Sequence, residues 1–419
     1  MGRWHSKAPF KATGTGMGLF DKLFGPPSKN KFAQLLSDAI RQAGETVAIR
    51  YDAGEFRLVV EGEEQRFFNL ANIYREYCTA PASQRPGALR LYVRSWFANR
   101  KSIPDSFEDV GPDLLPAVRN RCYFESTQLK AQLDGLSIDW PYRVVAEHLA
   151  VSLVYDLPEA MMQVQQHHLA DWGRGFEEAF NAACENLSQI SQDHWESPFP
   201  GVWVSPWRDN HDATRLVLAD LIQSRRVKGN HVAMAPNRDM LIVAGSEDEP
   251  GLARMAILAE KNLDHPRMIT GLAFTFDNET WEPWLPDTEH PLYDQFNLLQ
   301  LKSFGRDYAE QKDVLDALHQ KTGKNVWVAS FSAVRNEETR RAHSYCVWSQ
   351  GLNSLLPKAD QVYFFVPKGE KDGSVVARAD WDRVQRLVGD LMAPQEIYPE
   401  RYLVEEFPTA EQLAAIGRD

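Results

Sequence analysis

The chain lacks any long apolar run. The nearest candidate, VVAEHLAVSLVY at 144–155, is interrupted by Glu147 and His148, whereas a membrane-spanning helix needs roughly 18–20 apolar residues. The first residues also lack the apolar core of a secretory signal. The sequence therefore predicts a protein without a membrane span.

Cysteine is scarce and never closely paired. The four cysteines, Cys78, Cys122, Cys184 and Cys346, lie far apart and form no CxxC pair. This spacing argues against a disulfide framework and against a zinc site, and cysteines in apolar or mixed segments are typically buried free thiols. We therefore expect a reduced, cytoplasmic compartment, no bound metal and no cofactor.

Positive charge is in deficit. The chain has 46 Lys and Arg residues against 58 Asp and Glu residues, which gives a formal net charge of −12. A general nucleic-acid or anionic-membrane partner needs a concentrated basic face. We therefore expect no nucleic-acid partner.

The familiar catalytic motifs are missing as well. The chain contains no HExxH pair of metal ligands and no GxSxG nucleophile turn. Because catalytic groups converge in space rather than in sequence, a missing motif is only weak evidence against an enzyme. The sequence favours a protein without catalytic activity, and it identifies no catalytic residue.

Three segments can be distinguished along the 419 residues. We expect residues 1–30 to form a flexible tail, in which the amphipathic stretch from Met17 to Gly25, MGLFDKLFG, is suited to peripheral contact with a partner. Residues 31–290 form the main region, and residues 291–419 form a second unit. Apolar residues make up 43% of the chain, which is enough to build buried cores.

The order of short strands and amphipathic helices favours an α+β fold with mixed or antiparallel sheets over a doubly wound parallel sheet. The segment PYRVVAEHLAVSLVYDLP is strand-like. Because of Pro116, any strand in DLLPAVRNR is expected to lie at a sheet edge or to begin after the proline. Similar segments also recur at a spacing of about 124 residues, so a diverged tandem repeat of one α/β unit is an open alternative. The paired segments are 202–204 with 326–328, 214–215 with 339–340, and 241–243 with 364–366.

A polar cluster precedes the apolar run ATRLVLADLI. Asp209, His211 and Asp212 are ligand types that suit a metal ion, which would need a further ligand such as His231 or Asp239. The alternative is helix capping, because Asp side chains accept hydrogen bonds from the free first-turn N–H groups and complement the helix dipole. Capping by Asp212 is the interpretation that we favour.

Two arginines complete the candidate polar site. Arg215 follows the cluster in the same stretch, and Arg119 lies in the segment LLPAVRNR. Arg119 could bind an anion or pair with a carboxylate such as Asp156. A structural ion pair is the simpler expectation.

The residues around the cluster resemble the YtpQ-like family, uncharacterised bacterial proteins with a domain of unknown function. The family's DGxDASR-like helix start corresponds to DNHDATR, with Asn210 where the family often has glycine. Its PxxDxLIxA strand corresponds to PNRDMLIVA, and its LPxVR strand to LPAVR. The resemblance spans residues 110–285, and it implies an α+β, cytoplasmic, bacterial protein without assigning an activity.

Together these observations favour a non-catalytic module that binds or regulates another protein. One alternative is a hydrolase or metal-dependent enzyme that uses Asp209, His211 and Asp212. A second alternative is a small-molecule binding module built on some of the twelve tryptophans. Those that flank the family-like region are Trp203, Trp207, Trp281 and Trp284, and core packing is the simpler expectation for them.

Overall fold

The protein is described here by a computed structural model. The described residues are 25–60, 66–98, 102–158, 160–192, 195–276, 280–336, 341–369 and 372–417. Within these ranges the fold is α+β with five mostly antiparallel sheets, which confirms the predicted fold class. No helix in these ranges is both long and apolar enough to cross a membrane.

The chain divides into two compact units. The first comprises residues up to Ser102 together with Leu157–Ala160, and the second comprises Ile103–Asp156 together with Met161–Asp419. The domain boundary expected near residue 290 therefore lies inside the second unit. Of the amphipathic stretch expected to contact a partner, Met17 to Phe24 lies outside the described residues.

The described residues of the first unit form three helices and a three-stranded antiparallel sheet of order β1-β2-β3. Its elements are α1 (Lys29–Gln42), β1 (Ile49–Asp52), β2 (Arg57–Val60), β3 (Arg66–Asn69), α2 (Ala71–Thr79) and α3 (Arg85–Ala98). Helix α1 begins after Ser28, whose Oγ accepts a hydrogen bond from the Lys31 N–H. Its buried face carries Phe32, Leu36 and Ile40 at helical spacing.

The second unit opens with a sheet of order β4-β6-β5, with β7 paired to β6. Its strands are β4 (Leu114–Asn120), β5 (Tyr142–Ala146), β6 (Leu149–Leu157) and β7 (Ala160–Gln163). Pro116 lies inside β4, which is an edge strand, so the first of the two alternatives given for this proline holds. The strand-like segment 141–158 is two strands rather than one, because Glu147 and His148 form a two-residue turn between Ala146 and Leu149.

The central sheet of the second unit has the order β13-β12-β10-β11-β9-β8. Its strands are β8 (Glu196–Phe199), β9 (Val202–Val204), β10 (His231–Asn237), β11 (Met240–Gly245), β12 (Ala273–Phe276) and β13 (Trp281–Trp284). Val118 and Val151 of the first sheet share one core with Ala233 and Val243 of the central sheet. The two sheets therefore pack through a common apolar layer.

Two four-stranded sheets follow, of order β14-β17-β21-β20 and β15-β16-β18-β19. Their strands are β14 (Trp327–Val328), β15 (Ser332–Arg335), β16 (Ala342–Ser349), β17 (Ser354–Pro357), β18 (Gln361–Pro367), β19 (Gly373–Asp380), β20 (Ala393–Pro394) and β21 (Arg401–Val404). Trp348, Phe364 and Val384 belong to a separate core in this part of the unit.

Nine α-helices cover these sheets in the described part of the second unit. They are α4 (Phe107–Val110), α5 (Arg121–Asp134), α6 (Gln166–Asp171), α7 (Phe176–Gln189), α8 (Ala219–Gln223), α9 (Glu249–Asn262), α10 (Tyr293–Thr322), α11 (Trp381–Val388) and α12 (Ala410–Ile416). Short 3₁₀ helices occupy Gly111–Asp113, Ala213–Val217 and Gly389–Leu391.

Helix α10 is the longest element, and its 30 residues span about 45 Å at 1.5 Å per residue. It packs against α5 and α9 and against β14, β15 and β16. It ends at Gly323, which has a φ of 70°, a conformation that favours glycine at a helix C-terminus. This helix therefore links the early and late sheets of the second unit.

The two segments that the sequence suggested as a tandem repeat differ in how their strands pair. In the first copy, β9 and β11 are antiparallel neighbours in one sheet. In the second copy, residues 327–328 pair in parallel with β17, whereas residues 364–366 lie in β18 of the other sheet. Thr339 and Arg340, which completed the comparison, lie outside the described residues.

Candidate functional site

The structure brings the predicted polar residues into one neighbourhood. They are Asp209, His211 and Asp212 in the loop after β9, Arg215 in the 3₁₀ helix that follows, and Arg119 in β4. The two segments touch where the backbone N–H of Val118 donates to Thr214 Oγ1 at 3.1 Å. Asp156 in β6 also belongs here, because its Oδ2 lies 3.6 Å from His211 Nε2.

Arg215 is a fully buried cation with a complete set of partners. Its Nη1 and Nη2 donate to the two carboxylate oxygens of Asp209 at 2.9 and 2.8 Å, and Nε donates to Ser191 Oγ at 2.7 Å. The guanidinium also lies 4.0 Å from the ring centre of Trp207. Burial alone would raise the pKa of Asp209, but the hydrogen bonds and charge of Arg215 outweigh it and lower that pKa.

Asp212 stands at the N-cap position of the 3₁₀ helix, as predicted, but its side chain makes no capping hydrogen bond. The run ATRLVLADLI is not one helix, because Leu218, with φ −92° and ψ 75°, separates the 3₁₀ helix from α8. The Asp212 side chain caps neither helix and accepts instead from the backbone N–H of Asp209 at 3.2 Å. The Asp212 side chain thus points toward the preceding loop. In this loop Asn210 has a φ of 67°, a conformation that glycine and asparagine adopt most readily.

His211 and Asp212 are buried without full hydrogen bonding. His211 is 1% exposed, and neither of its ring nitrogens has a hydrogen-bond partner. Asp212 is fully buried and its Oδ1 is likewise unpartnered. Burial raises the pKa of Asp212, and a hydrogen bond with Ser205 opposes that rise.

Arg119 does not form the expected ion pair with Asp156. Its Nη1 donates to the carbonyl oxygen of Val118 at 2.7 Å, and its Nη2 lies 3.3 Å from the sulfur of Met161. Burial, followed by the charge of Arg238, lowers the pKa of Arg119 well below its ordinary value. Arg119 is therefore a buried cation held by neutral acceptors.

Among the described residues, no complete set of metal ligands surrounds Asp209, so the metal alternative is not supported at this place. The two further ligands proposed for it are engaged elsewhere, because Asp239 Oδ1 accepts from the Asn210 N–H and His231 Nε2 lies 2.9 Å from the Arg225 carbonyl oxygen. In the described part of the chain, one group of three ligand-type atoms occurs, and it contains none of the predicted residues.

A cavity of about 590 Å³ lies elsewhere in the second unit. It is bordered by α10, by the start of β16 and by the segments 358–360, 380–382 and 398–400. Its aromatic lining consists of Tyr293, Phe304, Tyr308, Phe331, Trp381 and Tyr398. The rings of Tyr308 and Phe331 stack with centres 4.9 Å apart, so part of the wall is flat and apolar.

Carboxylates outnumber cations around this cavity. The lining acids are Glu147, Asp360, Asp380, Asp382 and Glu400, and the lining bases are Arg341, His343 and Lys358. Lys358 is already engaged, because its Nζ lies 2.9 Å from Glu400 Oε2. Arg341 donates to the carbonyl oxygen of Thr288 at 2.8 Å. The cavity therefore carries a net negative charge at its rim.

The one group of metal-ligand types found among the described residues lies directly behind this cavity. One ligand-type atom each from Cys122, His148 and Asp307 lies within 4.8 Å of the others, and all three residues are buried. His148 Nε2 is 3.1 Å from Asp307 Oδ2. His148 Nδ1 is 2.8 Å from the hydroxyl oxygen of Tyr398, which lines the cavity.

Local structure explains how these three side chains converge. Asn120 ends β4 and caps α5, because its Oδ1 accepts from the Cys122 N–H at 2.8 Å and so fixes Cys122 in the first turn. The two-residue turn after β5 leaves Glu147 exposed and buries His148 completely. Asp307 faces both from the middle of α10, where Asn120 Nδ2 donates to its Oδ2 at 2.8 Å.

The chain matches no protein-family model, no curated protein and no solved structure. The resemblance to the YtpQ-like family therefore stays a prediction. Function has to be inferred from the geometry of the chain itself.

Sequence reasoning missed both the cavity and the Cys122 group. Residues 122, 148, 307 and 398 are separated by long stretches of chain, so no local spacing joins them. One signal was present, because Glu147 and His148 interrupt an otherwise apolar run. A polar pair in such a run indicates a turn or a site, and here it provides both.

Proposed function

We propose that the second unit binds a small organic cation with a flat apolar body in the 590 Å³ cavity. Ligand pockets typically measure about 300–1,000 Å³ and combine apolar or aromatic walls with a few polar groups. The observation that carries this proposal is the combination of an aromatic wall with an excess of carboxylates in a single cavity.

The aromatic wall favours a flat ligand that carries positive charge. The face of an aromatic ring is negative and attracts cations, while flat apolar groups stack against it. Tyr308 is buried, and burial raises the pKa of its hydroxyl well above the ordinary value. It therefore stays neutral and contributes to an uncharged wall.

The rim supplies the charge selectivity. Glu147 and Asp382 are both exposed at the rim of the cavity. A ligand ammonium near these carboxylates would be attracted, whereas a ligand carboxylate would be repelled. Lys358 does not cancel this field, because Glu400 already pairs with it.

The cavity thus supports the small-molecule alternative that the sequence left open. The tryptophan that lines it is not one of the four that the sequence suggested. Trp281 is 7% exposed and donates from its Nε1 to the Leu216 carbonyl oxygen, which is the expected core role. Trp203, Trp207 and Trp284 do not line the cavity either, whereas Trp381 does. The hypothesis of a protein-binding module stays a prediction.

A charge-matched ligand series tests the proposal. 2-Phenylethylamine, 2-phenylethanol and phenylacetate share one ring and differ in charge. We expect the amine to bind most tightly and the acid most weakly in calorimetric titrations of the full chain. Equal affinities, or tighter binding of the acid, would overturn the proposal.

The location of binding can be tested with a matched tryptophan pair. Trp381 lines the cavity, whereas Trp327 is 58% exposed and lies outside it. Binding of the amine should change the intrinsic fluorescence of the wild type and of Trp327→Phe, and the change should shrink in Trp381→Phe. An undiminished signal in Trp381→Phe would place binding elsewhere.

A further inference from the structure

We propose that Cys122 Sγ, His148 Nε2 and Asp307 Oδ2 form a binding site for a divalent metal ion of the zinc class. Zinc is bound in proteins by cysteine sulfur, histidine nitrogen and carboxylate oxygen. These three donor types lie within 4.8 Å of one another in the second unit. The wide spacing of the cysteines predicts a free thiol at Cys122 and no metal, because a zinc site is normally recognised by closely paired cysteines.

The strongest observation is the free nitrogen of His148. This residue is fully buried, and its Nε2 has no hydrogen-bond partner. Nε2 lies 3.1 Å from Asp307 Oδ2, which is the distance of an ion pair when the ring is protonated. An unpaired buried nitrogen is costly, and coordination of a metal would satisfy it.

The surrounding hydrogen bonds hold the ligands as they are held in metal sites. With the ring proton on Nδ1, His148 donates to the Tyr398 hydroxyl oxygen at 2.8 Å, which leaves the lone pair of Nε2 free. The Asp307 Oδ1 atom accepts from Nε and Nη2 of Arg306 at 3.2 and 3.0 Å. Asp307 Oδ2 accepts one hydrogen bond, from Asn120 Nδ2 at 2.8 Å, and keeps a second lone pair with which it can ligate a metal.

A nucleophilic Cys-His-Asp triad fits this geometry less well. In a triad, one imidazole nitrogen serves the nucleophile and the other is held by the carboxylate. Here Nδ1 of His148 is taken by Tyr398, and Nε2 faces Asp307, so neither nitrogen is hydrogen-bonded to the thiol. Cys122 is also only 5% exposed, so a substrate has little access to it.

The charge of the ligands matches that of a divalent ion. Binding of the ion would form the metal–sulfur bond and release the thiol proton to solvent, so that two anionic ligands neutralise the dication.

Metal analysis and cobalt spectroscopy of the full chain test the site. Protein loaded with Zn²⁺ and then dialysed should retain about one ion per chain. Loading with Co²⁺ should give a thiolate-to-cobalt charge-transfer band. Both signals should be lost in Cys122→Ala and kept in Cys346→Ala, which removes a thiol that is equally buried but outside the group.

Each outcome decides the proposal. Wild-type protein that retains no Zn²⁺ and shows no cobalt band would overturn it, as would a band that survives in Cys122→Ala. Should Cys122→Ala fail to fold, His148→Gln and Asp307→Asn replace it, and wild-type retention by itself can still refute the site. A further expected result is that Zn²⁺ raises the unfolding temperature of the wild type, since an ion that binds only the folded state stabilises it.

Discussion

At the residue scale, the pair of Arg215 and Asp209 shows how a buried charge is accommodated. Arg215 is fully buried, and Asp209 supplies both oxygens to its guanidinium. Trp207 and Ser191 complete the surroundings of Arg215. The pair therefore fixes the loop after β9 to the end of α7, and its role is structural.

Removing the carboxylate of this pair should be costly. We expect Asp209→Asn to lower the free energy of unfolding by about 2–3 kcal/mol, because it leaves a buried guanidinium without its counter-charge. This figure lies below the range for fully buried pairs, because the Asp209 side chain is 34% exposed. Urea unfolding of the variant and the wild type measures the difference.

An exposed ion pair provides the control. Glu260→Gln breaks the contact with Lys302, in which both side chains are more than half exposed, and it should cost less than about 0.5 kcal/mol. Equal losses in the two variants would contradict the structural role assigned to Asp209.

Asp209 and Asp212 should respond to pH with opposite signs. The pKa of Asp209 is lowered in the folded state, so its contribution to stability is complete above the ordinary carboxyl pKa and is lost as the pH falls below it. The pKa of Asp212 is raised, so its ionisation costs stability as the pH rises above the ordinary value.

Stability measured as a function of pH checks these signs. Relative to the wild type, Asp209→Asn should be least destabilising in acid, where the wild-type carboxylate is protonated. Asp212→Asn should be most favourable near neutral pH, where the wild type buries a charge. The same pH trend in both variants would show that the assigned directions are wrong.

At the scale of elements, regular patterns were predictable and interruptions were not. One of the two alternatives given for Pro116 placed β4 at a sheet edge, where it lies, because proline removes a ladder donor. The run after Asp212 looked like one helix because its apolar spacing is helical, yet Leu218 breaks it in two. Local spacing carries no information on such a break, which packing between sheets imposes.

Helix α10 permits a matched pair of glycine substitutions. Gly305 lies inside the helix, and the space that a methyl group would occupy there is open, so Gly305→Ala should stabilise the protein by about 0.4–1 kcal/mol. Gly323 has a φ of 70° at the helix end, so Gly323→Ala should destabilise it by about 1 kcal/mol. Thermal unfolding of both variants checks the signs. A destabilising Gly305→Ala would mean that the helix is more tightly packed at that point than the structure indicates.

At the scale of the whole molecule, the order of short strands and amphipathic helices predicted the fold class but not the division of the chain. A boundary near residue 290 was inferred from a change of pattern, yet the second unit extends from Met161 to Asp419 without a break there. The structural boundary after Ser102 has no marked composition shift in the sequence. Compactness depends on contacts between distant residues, which a single sequence does not display.

The cavity could not be predicted for the same reason. Its wall combines Glu147 from a hairpin turn with Phe304 from α10, Trp381 from α11 and Tyr398 from a late loop. Each of these residues is ordinary in its own segment. The polar residues at 209–215 formed the predicted site because they are adjacent in the sequence. In the structure they form a hydrogen-bonded network with a structural role.

The central claim is that carboxylates at the rim select a cationic ligand, and one calorimetric comparison tests it most directly. The double variant Glu147→Gln/Asp382→Asn neutralises two exposed rim acids, and Asp390→Asn/Glu411→Gln makes the same charge change away from the cavity. We predict that the first variant weakens 2-phenylethylamine binding by about fivefold, as expected for the loss of about 1 kcal/mol, while the second has little effect. Equal affinity for the amine in the wild type and the rim variant would contradict the account.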